Sequence, residues 1–404
     1  MVEKMQYCHN FQSNEAIIQD LYDGMIYNSL RSMYVNIGGT EQPHCFFEAD
    51  TNIALGLATD DFAPFCNRKQ TCWPILVYNL NLPPDEHFLM ENLICVGVVP
   101  GPKKPKDFNS FLYPFVSESL ELALGVDAYH SLCQCIFLLC AYPLFGGGDM
   151  PAVAMMMLMK EHNGISPCRM CKIVAIRHQG SNTYYVPLHP PCTLSRTLPT
   201  YDPLNLPIRD HDGFLKDARH VQMAPSQAEA DRRARDSGMK GVPILSHIPS
   251  LIFPYSFPLN FMHLLWENLI KNLLDFFCGK FKDLDHNKEG YQIEQTVWEA
   301  IGDVTQQSGF TIPGAYGVQP WNFSEDRIGV TADMLSFWTL FLGPIYLEQA
   351  FASPQFYAHF VELVKLLNLC LQFELQRSNI DVIREGFAKW VLEYEKLYYQ
   401  FSED

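Results

Sequence analysis

A chain of 404 residues with 48% hydrophobic content is long enough for two domains with sizeable cores, and its wealth of Trp, Tyr and Phe excludes a disordered chain. Its 29 basic against 45 acidic residues give a net charge of −16, the wrong sign for a free-standing DNA binder, because phosphate neutralisation supplies most non-specific affinity. DNA contact then requires parts outside this chain, or a local basic strip on an acidic body.

The opening residues MVEKMQYCHN lack the apolar segment of a signal peptide. The 13 cysteines are scattered and odd in number, which points to a reducing intracellular compartment and to thiols acting as small buried hydrophobes. Positions 17–33 have helical spacing. Positions 52–58, 72–78 and 93–99 read as strands rich in Ile, Leu and Val, the last ended by Pro100-Gly101-Pro102. An amphipathic helix broken by Pro114 is expected over 108–125. The apolar stretch 132–145 is short of a membrane span and is interrupted by Pro143, so 133–142 reads as a buried fourth strand and no membrane partner is expected. A Met-rich helix follows over 151–161, with Pro151 suited to its first turn. Strands, helix, buried strand and helix imply an α/β core with a mixed sheet and flanking helices. Beyond it come a proline-rich loop over 187–207, a charged helix over 226–239, and helices over 261–278, 292–302, 332–351, 355–376 and 379–401. The expected organisation is a mixed segment at 1–50, a core at 51–165 and a mainly helical domain at 166–404.

Three groups of residues carry chemistry. Asp60 ends the apolar run IALGLAT, and Asp149 follows the run CIFLLCAYPLF. Carboxylates fixed at strand ends suit hard divalent cations, which activate a water or hydroxyl and stabilise a leaving oxygen in phosphodiester cleavage. The alternative is two ordinary loop-edge aspartates. Cys168 and Cys171 form a C-x-x-C, whose spacing lets two thiolates reach one zinc but supplies half of a four-ligand site. A redox pair and inert buried thiols are the other readings. His263 and Glu267 stand at i, i+4 on one helix face, either as metal or acid candidates or as part of a packed helix with Trp266, Leu264, Leu265, Leu269 and Ile270 in its core.

The blocks LGLATDDFAPF, TCWPILVYNLNLPP, VGVVPGPKKPKDFNSFLYPF and GGGDMPAVAMMMLMKEHNGISPCRMC, in this order over 55–171, resemble the core of CACTA-class (En/Spm-like) DNA transposases of the fungal type. The strings GVPILSHIPSLIFPYSFPLNFMHLLWENLI and AKWVLEYEKLYYQF extend the likeness over most of the chain. The resemblance implies an RNase H-like core, incomplete here, followed by a large helical insertion domain. It makes Asp60 and Asp149 the first two acids of a DDE-type strand-cleavage and strand-transfer site using Mg2+ or Mn2+. It makes Cys168 and Cys171 half of a zinc site whose two histidines fall past residue 400, with His263, then His247 and His189, as local substitutes. Transposon-end DNA is the implied partner and the nucleus the implied location. The family has Gly where Asp61 stands and Asp where Asn260 stands, and its third acid would lie beyond Asp404. The expectation is therefore a transposase-derived fragment with weak or no cleavage activity. The alternative is a non-catalytic interaction protein that binds a full-length transposase, another protein or itself through its helical half. A third reading is an unrelated helical protein with a redox C-x-x-C.

Overall fold

The computed structural model describes residues 3–64, 70–160, 164–177, 184–190, 198–281, 289–314, 319–325 and 329–399. Phe65 of the acid-bearing string, part of the proline-rich loop and the end of the last expected helix lie outside these. The chain divides into two compact units, one of residues 1–186 and 206–259, the other of 187–205 and 260–404.

The first unit does not begin with one long helix. Asp20 and Asp23 side chains take the backbone N–H groups of Gln19, Asp20 and Tyr22, a capping box that starts a turn at Leu21 and keeps a helix from running through from 17. A 3-10 turn at Leu21–Asp23 and a short helix, α1 (Met25–Leu30), replace the expected 17–33 helix. A hairpin follows, β1 (Tyr34–Ile37) with β2 (Thr40–Cys45). The central sheet then begins with β3 (Ile53–Thr59), β4 (Cys72–Asn79) and β5 (Leu93–Pro100), close to the expected spans. Next comes α2 (Asn109–Leu124). It runs through Pro114 unbroken, contrary to expectation: the proline, sixth in the helix, removes one bond to the preceding turn, and burial of Leu112, Phe115, Val116 and Ala123 along the helix offsets the loss.

The apolar run read as one buried strand is two elements. β6 (Val126–His130) and β7 (Cys135–Leu139) form a separate hairpin on which Tyr129, Ile136 and Leu138 are exposed. The strand that enters the central sheet is β8 (Ala141–Gly147), with Ala141, Tyr142 and Leu144 buried. The sheet order is β5–β4–β3–β8, with β4 antiparallel to both neighbours and β8 parallel to β3. After β8 the Met-rich α3 (Met150–Met156) is shorter than expected.

Both faces of the sheet are covered, which explains why its strands read as near-continuous apolar runs. On one face Leu57, Trp73, Ile75, Val77 and Val99 pack with α2, with Met155, Met156 and Met157, and with α4 (His211–Gln222) through Phe214 and Ala218. On the other, Ala54, Tyr78, Leu80 and Tyr142 pack with Tyr22, Tyr27, Leu30 and Phe46. Each fully buried Leu, Ile, Val, Met or Phe among them contributes about 1.5–3 kcal/mol. The charged helix α5 (Gln227–Ser237) is solvated as expected, with Ala234 as its buried residue.

The second unit is mainly helical among its described residues. It runs from the π-helical stretch Met262–Ile270 into α6 (Lys271–Phe277), then α7 (Gln295–Ser308), α8 (Ala332–Phe337), α9 (Pro354–Cys370) and α10 (Asn379–Tyr394). Its core is aromatic. Phe276 stacks on Phe281 and Tyr398, and His359 stacks on Trp390 at 4.4 Å. Among the described residues no helix is long and apolar enough to cross a membrane.

Candidate active site

The parallel pairing of β3 with β8 decides where the two aspartates go. Ala58 lies opposite Gly147 in register. Two residues further along each chain stand Asp60 and Asp149, so both leave the same edge of the sheet on neighbouring strands, which run about 4.8 Å apart. Gly148 is what allows the approach. Its φ is +152°, and a Cβ there would lie 2.4 Å from the Thr59 carbonyl oxygen.

The two carboxylates are held differently. Asp149 caps α3: its Oδ1 accepts from the Ala152 N–H at 2.6 Å, with Pro151 in the first turn. It is half-buried, and the helix N-terminus favours its negative charge. Asp60 is exposed, and its Oδ1 accepts from the Asp61 N–H at 2.8 Å. Asp61 is exposed beside it. Two aspartates on one edge are a hard-oxygen donor set. It fits Mg2+ or Mn2+, because Mg2+ is commonly held by one or two carboxylates plus waters and substrate phosphate. Among the described residues no group of three His, Cys, Asp or Glu side chains stands ready for a metal.

The C-x-x-C lies in an irregular loop of the same unit, organised by a residue that sequence reasoning passed over. Arg209 is fully buried. Its Nε donates to the carbonyls of Cys168 and Cys171 at 3.1 and 3.2 Å, and its Nη2 to those of Ser166 and Ser237 at 3.3 and 2.9 Å. Its own N–H donates to the Met170 carbonyl at 2.9 Å. Its Nη1 faces Asp217 at 3.7 Å. Arg169 adds a bond from Nη2 to the Pro258 carbonyl at 2.8 Å. Both cysteines are free thiols. A hydrogen bond from Cys171 pulls the Cys168 thiol down to about 6 against the opposing effect of burial, with Arg209 assisting. The same bond, together with burial, pushes Cys171 up. The Arg209 guanidinium beside the pair favours the charged form of Cys168. Among the described residues the pair supplies two of the four donors that a structural zinc takes.

The histidines named as substitutes are engaged or placed elsewhere. His247 is exposed at the end of a 3-10 turn. His189 Nδ1 lies 2.9 Å from Glu395 Oε2, within the helical unit. His263 Nδ1 lies 2.7 Å from Glu267 Oε2, so the i, i+4 pair is a mutual hydrogen bond. Around it Leu265, Trp266 and Ile270 are buried, whereas Leu264 is exposed rather than in the core.

Residues 39–187 match the family model described as Transposase family tnp2. The match supports a transposase family. It spans Asp60, Asp149, Cys168 and Cys171, while Arg209, His263 and Glu267 fall outside it. No curated protein matches the chain.

Proposed function

We propose that the sheet-bearing unit is a transposase-derived, RNase H-like core for phosphodiester cleavage and strand transfer, with Asp60 and Asp149 as two of its metal-holding carboxylates. An RNase H-like site takes its first acid from the first strand and its second from just after the fourth. The observation that carries the reading is that Asp60 follows the first strand of the central sheet and Asp149 the fourth, on adjacent parallel strands. The tnp2 match over the same stretch supports it, and the motif strings favour the CACTA class, acting on transposon-end DNA in the nucleus. When bound, Mg2+ or Mn2+ activates the attacking oxygen and stabilises the leaving one. The chain's own contribution is orientation. The α3 cap fixes Asp149, and the close passage of Gly148 past Thr59 fixes the strand ends from which both acids emerge.

Mn2+ binding, read by the loss of the free-ion electron paramagnetic resonance signal, tests the assignment. Asp60→Asn and Asp149→Asn should each weaken binding about tenfold or more. Asp149→Asn should leave thermal stability nearly unchanged, because Asn caps a helix as well as Asp does. Asp149→Ala should lose about 1 kcal/mol as well. Unaltered Mn2+ affinity in both Asn variants would sink the catalytic reading and favour a non-catalytic interaction protein. Metal-dependent nicking of supercoiled DNA that disappears with either Asn variant would extend the reading to activity.

A further inference from the structure

We infer that a groove beside α7, in the helical unit, is a docking site for a basic amphipathic helix of another protein. The groove lies in the unit that lacks Asp60 and Asp149, and its occupancy does not depend on the catalytic reading.

The groove exists because α7 is apolar on two sides. On the inner side Trp298 and Thr305 are buried, and a Cβ at Gly302 would collide with the Asn322 side chain, so that side is closed. On the other side Val297, Ala300, Ile301 and Val304 stand at i, i+3, i+4 and i+7, the spacing of a stripe that ordinarily faces a core. Here the stripe is only half covered. Ile301 is buried and Val297 partly so, but Ala300 and Val304 are exposed, Val304 by 45%. With Thr296, and with Tyr346 of the turn Gly343–Tyr346, they line a groove of about 320 Å3. The stripe covers two turns, about 10 Å of helix axis, which is room for successive anchors of a partner helix.

Charge selects the occupant. Glu299 and Asp303 follow Thr296 at i+3 and i+7, so they flank the stripe along one side, and both are exposed. Asn322 Nδ2 donates to Asp303 Oδ1 at 2.9 Å, which holds that carboxylate in place. From Glu289 to Val364 the sequence carries nine Asp or Glu against one Lys or Arg, Arg327. An acidic rim repels an acidic helix and draws a basic one. A second copy does not supply it: none of α1–α10 carries a net positive charge, counting His as neutral. The occupant is therefore a helix of another protein, with apolar residues at i, i+3 or i+4, and i+7 for the groove and Lys or Arg beside them.

The test is fluorescence anisotropy of the full chain with a labelled peptide of about 18 residues, long enough to hold a helix. The peptide has Leu at helical spacing and Lys elsewhere, and a second peptide has Glu in place of Lys. The Lys peptide should bind, more weakly as salt rises, and the Glu peptide should not. A chain of net charge −16 attracts any polycation, so the deciding variant is Ala300→Trp, which fills the groove from an exposed position and keeps the charge. It should weaken Lys-peptide binding about tenfold or more. Glu299→Gln combined with Asp303→Asn should weaken it about three- to tenfold at low salt and flatten the salt dependence. That pair changes almost no volume, and thermal unfolding matching the parent's separates lost docking from misfolding. Unchanged Lys-peptide affinity in Ala300→Trp would overturn the inference and reduce the binding to diffuse charge. Equal binding of the Glu peptide would overturn it as well. Self-association of the chain that Ala300→Trp abolishes would give the groove to a second copy and overturn the assignment of its partner.

Discussion

Each unit of the molecule ties down an irregular loop with one buried charge, and the two charges have opposite sign. In the sheet-bearing unit the Arg209 guanidinium gathers the carbonyls of Ser166, Cys168, Cys171 and Ser237. In the helical unit the Glu395 carboxylate accepts from the N–H groups of Leu188 and His189 and meets the His189 ring. A planar fork of five donors can hold several carbonyls at once, whereas a carboxylate can only receive. The comparison shows why the C-x-x-C loop needs no regular secondary structure. Its carbonyls are satisfied by one side chain in place of a ladder.

The comparison predicts unequal costs. Arg209→Met should be the most damaging change, at roughly 3–5 kcal/mol, because buried carbonyls left unpaired cost about 1–3 kcal/mol each before water recovers part of it. Arg209→Lys should rescue little, since an ammonium lacks the fork. Chemical denaturation gives the cost, and faster hydrogen exchange across 164–177 locates it. A variant as stable as the parent would mean that the loop is held by something else. Glu395→Gln should cost less, roughly 1.5–3 kcal/mol, since a carboxamide oxygen still accepts but without charge. Its effect should appear in exchange across 187–190 and leave 164–177 untouched.

The smallest effect concerns His359, buried between α9 and α10. Its Nε2 lies 3.0 Å from the Trp390 carbonyl, and Trp390 Nε1 donates to the His359 carbonyl at 2.9 Å. Burial lowers its pKa below 6.5, with the Trp390 carbonyl and Glu393 opposing. The unfolded chain therefore takes up a proton at higher pH than the folded one. This contribution to stability is intact well above pH 6.5 and is lost as pH falls from there toward the folded value. Denaturation midpoints measured near neutrality and in mild acid should diverge in the parent and converge in His359→Gln. Equal divergence in both would place the acid sensitivity elsewhere.

Much of the acid-bearing edge was legible in the sequence, because near-continuous apolar runs rich in Ile, Leu and Val mark β3, β4 and β5 and each aspartate closes an apolar run. The β6–β7 hairpin was not. Periodicity cannot tell one buried strand from a hairpin strand followed by a sheet strand, and Ile136 and Leu138 are apolar yet exposed. α4 was missed although Asp210 caps it, because Gly213 in the first turn weakens the helical pattern. Arg209 left no local signal: the carbonyls it binds come from 166, 168, 171 and 237, and only the folded chain assembles them.

Gly148 makes the spacing of the two acids a property of the main chain. A methyl group there would force the Thr59 carbonyl away at the point where both aspartates leave the sheet. A descendant carrying Ala at this position could keep every charged residue and still lose the spacing of the two acids. Counting its carboxylates would not reveal the loss.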